Sequence, residues 1–134
     1  MHESKSHTNR LRSLIRANGV FSITSGLILA VGSPLLDMWL GVDVPWLLAI
    51  GVALVGYGLS LYSSAGRDET LVRLGRFATV ADIGWVLGAA ALISLTDALT
   101  PGGEIALAAV SAVVLGFAVL QARALPAASA PAAQ

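Results

Sequence analysis

One acidic residue lies inside a long apolar stretch of this sequence, and it is the residue best placed for chemistry. An ionised carboxylate such as that of Asp82 is costly in hydrocarbon and is usually paired, hydrated or functional. Asn18 falls at a similar depth in another apolar stretch, and Ser22 and Ser25 follow it at i+4 and i+7. These three side chains share one face of a helix. If that face meets Asp82, a small polar cluster forms within the membrane.

Basic residues near the start of each apolar stretch are the candidate charge partners of Asp82. Arg76 precedes Asp82 by six residues, which is too far for a direct pair along one helix. Arg12 or Arg16 is better placed to reach Asp82 across a bundle. Together with Asn18, such an arginine would make Asp82 an interhelical clamp.

A functional role for Asp82 is the other interpretation. The carboxylate could bind a proton, a cation or the polar part of a ligand, as carboxylates do in membrane pumps. Trp85 follows close to one turn later and is part of the same candidate site. The residue pattern leaves the clamp and the functional site as open alternatives.

Other sites for chemistry are absent from the sequence. There are no cysteines, so disulfides, thiolate metal sites and cysteine nucleophiles are excluded. His2 and His7 lie near the start with no carboxylate placed to complete a metal site, and no nucleophile-elbow or phosphate-loop motif occurs. We therefore predict no metal, no cofactor and no enzymatic activity. A second titratable group beside Asp82 would argue for an enzyme.

Composition places the chain among membrane proteins. Of its 134 residues, 56% are hydrophobic and 12% are charged, and the mean hydropathy is +0.80. A soluble domain of this size could not hide so much apolar surface. The net charge is zero, which gives no indication of nucleic-acid binding.

Four apolar stretches are long enough to cross a bilayer, which takes about 20 residues each. Together they predict an all-α, polytopic protein with two helical hairpins in a four-helix bundle, forming a transmembrane domain over residues 13–123. We expect a flexible start at 1–12 and a disordered tail at 124–134. The segment 34–41 is either a helical turn in the membrane interface or a loop over the bundle end. The predicted spans are 15–31, 44–62, 77–95 and 105–122.

The distribution of charge predicts the orientation. All eight basic residues fall on one side of a four-span arrangement, whereas the opposite loops carry only acids. The positive-inside rule then puts both termini in the cytoplasm of a bacterial inner membrane. Reading the first span as a cleaved signal peptide is a weaker alternative, since polar residues interrupt it. The basic residues are Lys5, Arg10, Arg12, Arg16, Arg67, Arg73, Arg76 and Arg123.

Small residues at four- or seven-residue spacing occur in every span and predict close helix packing, either within the bundle or between copies. The two halves also resemble each other, which suggests a tandem repeat. An offset of 64 aligns Asn18 with Asp82, and an offset of 60 aligns the second helices. The stripes are Ser22, Gly26 and Ala30; Gly51 and Gly58; Gly84 and Gly88; and Ala108, Ala112 and Gly116.

The segments 16–26 and 81–88 resemble those of small uncharacterised bacterial four-helix integral membrane proteins. The resemblance covers about a third of the chain and implies a four-helix membrane fold with no activity attached. Small multidrug resistance transporters fit less well, because they carry a glutamate in the first span where this chain has Asn18. Fluoride channels also fit less well, because their charge bias is weak.

Two functions remain after these exclusions. The first is a binding or accessory protein that recognises a membrane lipid, an apolar molecule or a partner membrane protein. The second is a small transporter or channel that uses Asp82 and Asn18 and assembles as a homo-oligomer. A water path to Asp82 would favour the transporter, whereas a dry cluster would favour the binding protein.

Overall fold

The computed structural model describes residues 2–131 and is a bundle of four helices, with no strand in that range. The helices are α1 (His2–Leu40), α2 (Val44–Ser64), α3 (Asp68–Leu95) and α4 (Pro101–Ser129). Each is long and apolar enough to cross a membrane. Prolines at the first turns of α2 and α4 suit helix starts, where no backbone N–H is needed. The predicted fold class is confirmed.

The helices extend beyond the predicted spans, and α1 differs most from expectation. It begins at His2 and continues through Pro34 to Leu40, so the segment 34–40 is helical, as the first alternative predicted, and is not a loop; it is the end of α1 and not a separate turn. Proline cannot donate to the carbonyl of Ala30, four residues earlier. The hydroxyl of Ser33 donates to that carbonyl instead, at 3.0 Å. This bond explains why the helix survives the proline.

The predicted flexible ends are also helical where they are described. The segment 2–12 belongs to α1, and α4 runs to Ser129 through residues expected to be disordered. The alanines of the tail favour helix strongly, and Pro126 does not end it. Residues 1 and 132–134, which complete these two predictions, lie outside the described range.

Glycines bring α1 and α2 into backbone contact. A Cβ atom added to Gly26 would lie 2.5 Å from the carbonyl oxygen of Gly51, and one added to Gly51 would lie 2.7 Å from that of Gly26. Gly19 and Gly58 meet in the same reciprocal way one to two turns away. Such contacts let two membrane helices associate without a hydrophobic driving force. The small-residue stripes of α1 and α2 are therefore packing surfaces.

The stripes predicted on α3 and α4 pack differently. Cβ atoms added to Gly84, Gly88 or Gly116 would meet nothing within 4 Å. At these positions the backbone faces open space, so these three glycines do not pack within the bundle of one copy, and packing between copies stays a prediction.

The first helices of the two hairpins match best at a sequence offset of 60 residues. The pattern of buried and exposed residues over 11–20 is identical to that over 71–80, and four of the ten residues are also identical. At this offset Asp37 aligns with Asp97, and Ser22 aligns with Asp82. Over this stretch the burial pattern favours an offset of 60 over the predicted offset of 64, which differs from it by about one helical turn.

The repeat does not produce a symmetric bundle. The four glycines of the α1–α2 contact correspond to larger residues in the second hairpin: Thr79, Val86, Ser111 and Ala118. The helices follow an arc in the order α2, α1, α4, α3, and α1 packs along α4, whereas α2 and α3 hardly touch. A cleft therefore remains between α2 and α3.

The two ends of the bundle differ in charge. A buried apolar cluster formed by Leu11, Ile15, Leu61, Leu71 and neighbouring alanines joins the start of α1 to the α2–α3 turn and the end of α4, where the basic residues lie. At the other end, Thr100 bonds to the last turn of α1 through its side chain and its N–H. Large apolar side chains cover the outside; Val31, for example, is 80% exposed. Such a surface suits lipid.

Candidate functional site

Asp82 is the centre of a polar cluster to which all four helices contribute. The Nδ2 atom of Asn18 donates to Asp82 Oδ2 at 2.7 Å, and the Nε2 atom of Gln121 donates to the same oxygen at 3.3 Å. The hydroxyl of Tyr57 donates to Asp82 Oδ1 at 3.2 Å. The hydroxyl of Ser22 donates to Asn18 Oδ1 at 3.4 Å. Asp82 is only 4% exposed.

The helix register explains the convergence. The Gly51 and Gly58 contacts fix the height of α2 against α1, and this places Tyr57 beside Asn18 at the edge of the cleft. Tyr57 is also where α2 meets α3, since its ring lies 6.3 Å from that of Phe77. The cluster therefore bridges the arc where the helices otherwise stand apart.

The donors around Asp82 are neutral and leave part of the carboxylate available. A carboxylate has about four acceptor positions, two on each oxygen. Asn18 and Gln121 occupy both positions on Oδ2, whereas Oδ1 receives only the Tyr57 hydroxyl. One acceptor position on Oδ1 is thus free within the described residues.

The predicted arginine partners do not reach Asp82. Arg12 forms an ion pair with Asp68 and donates from Nε to the carbonyl of Ala65 at 2.9 Å. Arg16 lies over the ring of Tyr62, with its guanidinium carbon 5.6 Å from the ring centroid. Arg12 precedes Asn18 by six residues, which is about 9 Å along a helix. Arg12 and Arg16 therefore make their contacts at the end of the bundle and not with the Asp82 cluster.

Arg76 is likewise not a partner. Among the residues described, no ion pair or hydrogen bond joins Arg76 to Asp82. The interpretation of Asp82 as half of an arginine salt bridge is therefore wrong. Its interhelical contact with Asn18 is present, although the arginines are directed elsewhere.

The Asp82 cluster forms the floor of a pocket of about 310 Å³, which we call the polar pocket. Ser22 and Ser25 of α1 line it, as predicted for one helix face, together with residues of α2, α3 and α4. Three aromatic side chains also line the pocket, and one of them, Tyr57, contacts the carboxylate. The pocket is defined by Asn18, Phe21, Ser22, Ser25, Tyr57, Asp82 and Trp85, with apolar residues between them.

A second cavity of about 600 Å³, the apolar pocket, continues from the first toward the end opposite the basic residues. Both volumes fall within the range of about 300–1,000 Å³ usual for ligand sites. The residues lining both cavities are Ser25, Ile50, Leu54, Trp85 and Val110. The apolar pocket also includes Trp39, Leu47, Gly84, Gly88 and Leu92. The cavities thus join a polar floor to an apolar chamber.

An indole donor at the junction is unsatisfied. The Nε1 atom of Trp85 is buried and has no hydrogen-bond partner, although Trp85 lines both cavities. Buried indole N–H groups are usually bonded, because an unpaired donor is costly. Trp85 therefore carries a buried donor without a partner where the two cavities meet.

Two members of the cluster were not predicted as site residues. They are Tyr57, in the uncharged second span, and Gln121, a polar residue in the apolar fourth span. Gln121 is fully buried, and its polarity in such a span was the one available signal. Nothing in the spacing of Tyr57 could indicate contact with Asp82, since the contact depends on how α2 packs.

Tyr57 is a second titratable group beside Asp82. A pair of titratable groups is a feature that would favour an enzyme. The cluster lacks a nucleophile in contact with a base, because the hydroxyl of Ser22 donates to Asn18 and not to Asp82. Among residues 2–131, no three His, Asp or Glu side chains are grouped so as to hold a metal ion. The cluster can bind a ligand through hydrogen bonds and through the charge of the Asp82 carboxylate.

Comparison with known proteins gives no relative. No protein-family model, no curated protein and no solved structure matches the chain. The resemblance to small bacterial four-helix membrane proteins accordingly stays a prediction. Function must be argued from the geometry of the Asp82 site.

Proposed function

We propose that this protein is an integral membrane protein that binds an amphipathic or apolar molecule in the cleft between α2 and α3. The observation that carries the proposal is that the two cavities adjoin and share five lining residues. A pocket with Asp82 in its lining lies next to a larger apolar pocket within one bundle. Ligand sites are concave, mainly apolar and equipped with a few convergent polar groups. The two pockets match that description.

Apolar side chains close the bundle at its basic end, and this supports a binding protein over a transporter or channel. Leu11, Ile15, Leu61 and Leu71 are each at most 1% exposed and fill the interior of the bundle at its basic end. The cavities extend only in the other direction. The alternative, a small oligomeric transporter or channel using Asp82 and Asn18, would require this apolar cluster to open. Efflux of a pH-sensitive dye from proteoliposomes would test that alternative.

We further propose that both termini face the cytoplasm of a bacterial inner membrane. The basic residues lie in the first half of α1, at the α2–α3 turn and the start of α3, and near the end of α4, and these segments meet at the same end of the bundle. Asp37, Asp43, Asp97 and Glu104 belong to the opposite end. This charge difference supports a positive-inside orientation.

Trp85 provides a direct test of binding, because its ring lines both cavities. Replacing Trp39 and Trp46 by phenylalanine leaves Trp85 as the single tryptophan. The protein is placed in phosphatidylcholine nanodiscs and titrated with 5-bromododecan-1-ol, whose bromine quenches nearby indoles. We expect a saturable component of Trp85 quenching above the linear component caused by partitioning into lipid.

Two glycine variants make the test specific to the cavity. Gly88→Leu adds a side chain to a position that lines the apolar pocket and has open space around its Cβ. Gly116→Leu makes the same change where the space is also open but belongs to neither pocket. We expect Gly88→Leu to weaken saturable quenching at least about fivefold and Gly116→Leu to leave it unchanged. Linear quenching alone in the parent protein would refute the proposal.

A further inference from the structure

The charge of the polar pocket restricts which molecule fits it. Asp82 contributes a carboxylate, and its three donors Asn18, Tyr57 and Gln121 are neutral. The residues lining the polar pocket include no lysine or arginine. A buried carboxylate without a cation is costly. A ligand that brings a positive charge would remove this cost.

The hydrogen-bonding capacity restricts the ligand further. The free acceptor position on Asp82 Oδ1 suits an N–H donor, and a charge-assisted bond is about twice as strong as a neutral one. Phe21, Tyr57 and Trp85 line the same pocket, and aromatic faces attract cations. A carboxylate with a free acceptor position and three aromatic side chains suit a protonated amine as the ligand.

The apolar pocket accounts for the rest of the molecule. It begins at Trp85 and is lined mainly by aliphatic side chains and by Gly84 and Gly88. An alkyl chain attached to the amine would lie there, within the hydrocarbon region. A head group that also carried a phosphate would find no cationic side chain in the polar pocket.

We infer that the ligand is a lipophilic amine whose ammonium N–H donates to Asp82 Oδ1 and whose alkyl chain fills the apolar pocket. This inference rests on the proposed binding function and specifies its ligand class. It assigns charge recognition to Asp82 and shape recognition to the glycine-lined chamber. It also gives Tyr57 the role of orienting the carboxylate oxygen that the ligand meets.

The experiment compares matched probes by Trp85 quenching in phosphatidylcholine nanodiscs. The probes are 5-bromododecylamine and 5-bromododecan-1-ol, which share a chain and differ in the head group. We expect the amine to bind about tenfold more tightly than the alcohol, as a hydrogen bond to a charged group implies. Equal affinities would overturn the inference while leaving the proposed function intact. Absence of saturable quenching by either probe would overturn both.

Three variants separate charge from packing. Asp82→Asn keeps the size of the side chain and should reduce the preference for the amine to below about threefold. Asp97→Asn, in an exposed segment between α3 and α4, is the matched control and should keep the preference. Tyr57→Phe retains the charge but removes the hydroxyl that orients Asp82 Oδ1, so it should lower the preference to a value between those of the parent protein and Asp82→Asn. If the amine is still preferred tenfold in Asp82→Asn, the inference is wrong.

Two further probes test the N–H donor and the absence of phosphate. A trimethylated version of the amine keeps the charge but has no N–H, so we expect its affinity to fall at least about threefold. Affinity equal to that of the primary amine would contradict a bond to Asp82 Oδ1.

Transfer to phosphatidylethanolamine nanodiscs should leave amine binding intact. Its loss there would indicate that the lipid head group itself occupies the site and would overturn the assignment. If Asp82→Asn fails to fold, the comparison of probes in the parent protein still decides.

Discussion

Asn18 donates to Asp82 across 2.7 Å, and this bond joins the first helices of the two hairpins. Both residues are almost fully buried, with exposed fractions of 1% and 4%. Little other contact links α1 directly to α3. The bond therefore adds a direct link between α1 and α3 to the packing of α1 along α4, which joins the two hairpins.

Replacing Asn18 by leucine should destabilise the bundle, because it removes the shortest of the three bonds to Asp82. We expect a loss of about 1–2 kcal/mol in the free energy of unfolding, near the upper end for interhelical bonds in membranes. Ser22→Ala is the control, since its bond to Asn18 is long, at 3.4 Å, and should contribute little. Unfolding by dodecyl sulfate in mixed micelles, followed by circular dichroism, measures both. Equal losses would contradict the central role of the Asn18 bond.

The glycine contact between α1 and α2 predicts a second pair of variants. Gly26→Ala places a methyl group 2.5 Å from the carbonyl oxygen of Gly51, so the helices must separate. Overpacking of this kind costs about 1–3 kcal/mol. Gly56→Ala introduces the same methyl where nothing lies within 4 Å, and it should stabilise α2 slightly.

The same unfolding titration distinguishes these two glycine variants. A slight stabilisation of similar size in both would show that helix propensity dominates and that the close approach of Gly26 and Gly51 is unimportant. Opening of α1 from α2 should also shift Tyr57 away from Asp82. Gly26→Ala is therefore expected to weaken ligand binding as well as stability.

Much of the fold is predictable from the sequence, because hydropathy and charge act on whole helices. The span 44–62 and the end of the span 77–95 agree closely with α2 and α3. The polar side chains Asn18 and Asp82 also identify the site, because each is costly in lipid and must find a partner.

The remainder depends on packing that spacing does not encode. The partner helix of Asp82 could be identified, but the contributions of Tyr57 and Gln121 depend on the cleft left by unequal hairpins. The arginines seemed suitable partners from charge alone, although Arg12 has Asp68 nearby at the bundle end. Helix continuity through Pro34 depends on one hydroxyl bond, which a turn rule cannot anticipate.

That hydroxyl bond predicts a coupling between neighbouring residues. Ser33→Ala should destabilise α1 by about 1 kcal/mol, because the carbonyl of Ala30 loses its donor. In the background Pro34→Ala the backbone N–H is restored, and Ser33→Ala should then cost almost nothing. Ser60→Ala, which removes a comparable bond to Gly56 in an uninterrupted helix, is the control and should have little effect. A double-mutant cycle of unfolding free energies measures the coupling. Independence of the two substitutions would contradict the role given to Ser33.

The proposed orientation can be tested cleanly because the chain has no cysteine. Ser63→Cys places a thiol at an exposed position near the basic end, and Ala98→Cys places one at an exposed position near the opposite end. In intact bacterial spheroplasts, a membrane-impermeant maleimide should label Ala98→Cys at once and Ser63→Cys only after permeabilisation. The physical reason is the segregation of all eight basic residues to one end, which holds that end in the cytoplasm. Labelling of both variants before permeabilisation would indicate mixed insertion, and the reverse pattern would invert the proposed topology. An inverted topology would place the apolar pocket on the cytoplasmic side of Asp82, and the amine would then reach Asp82 from that side.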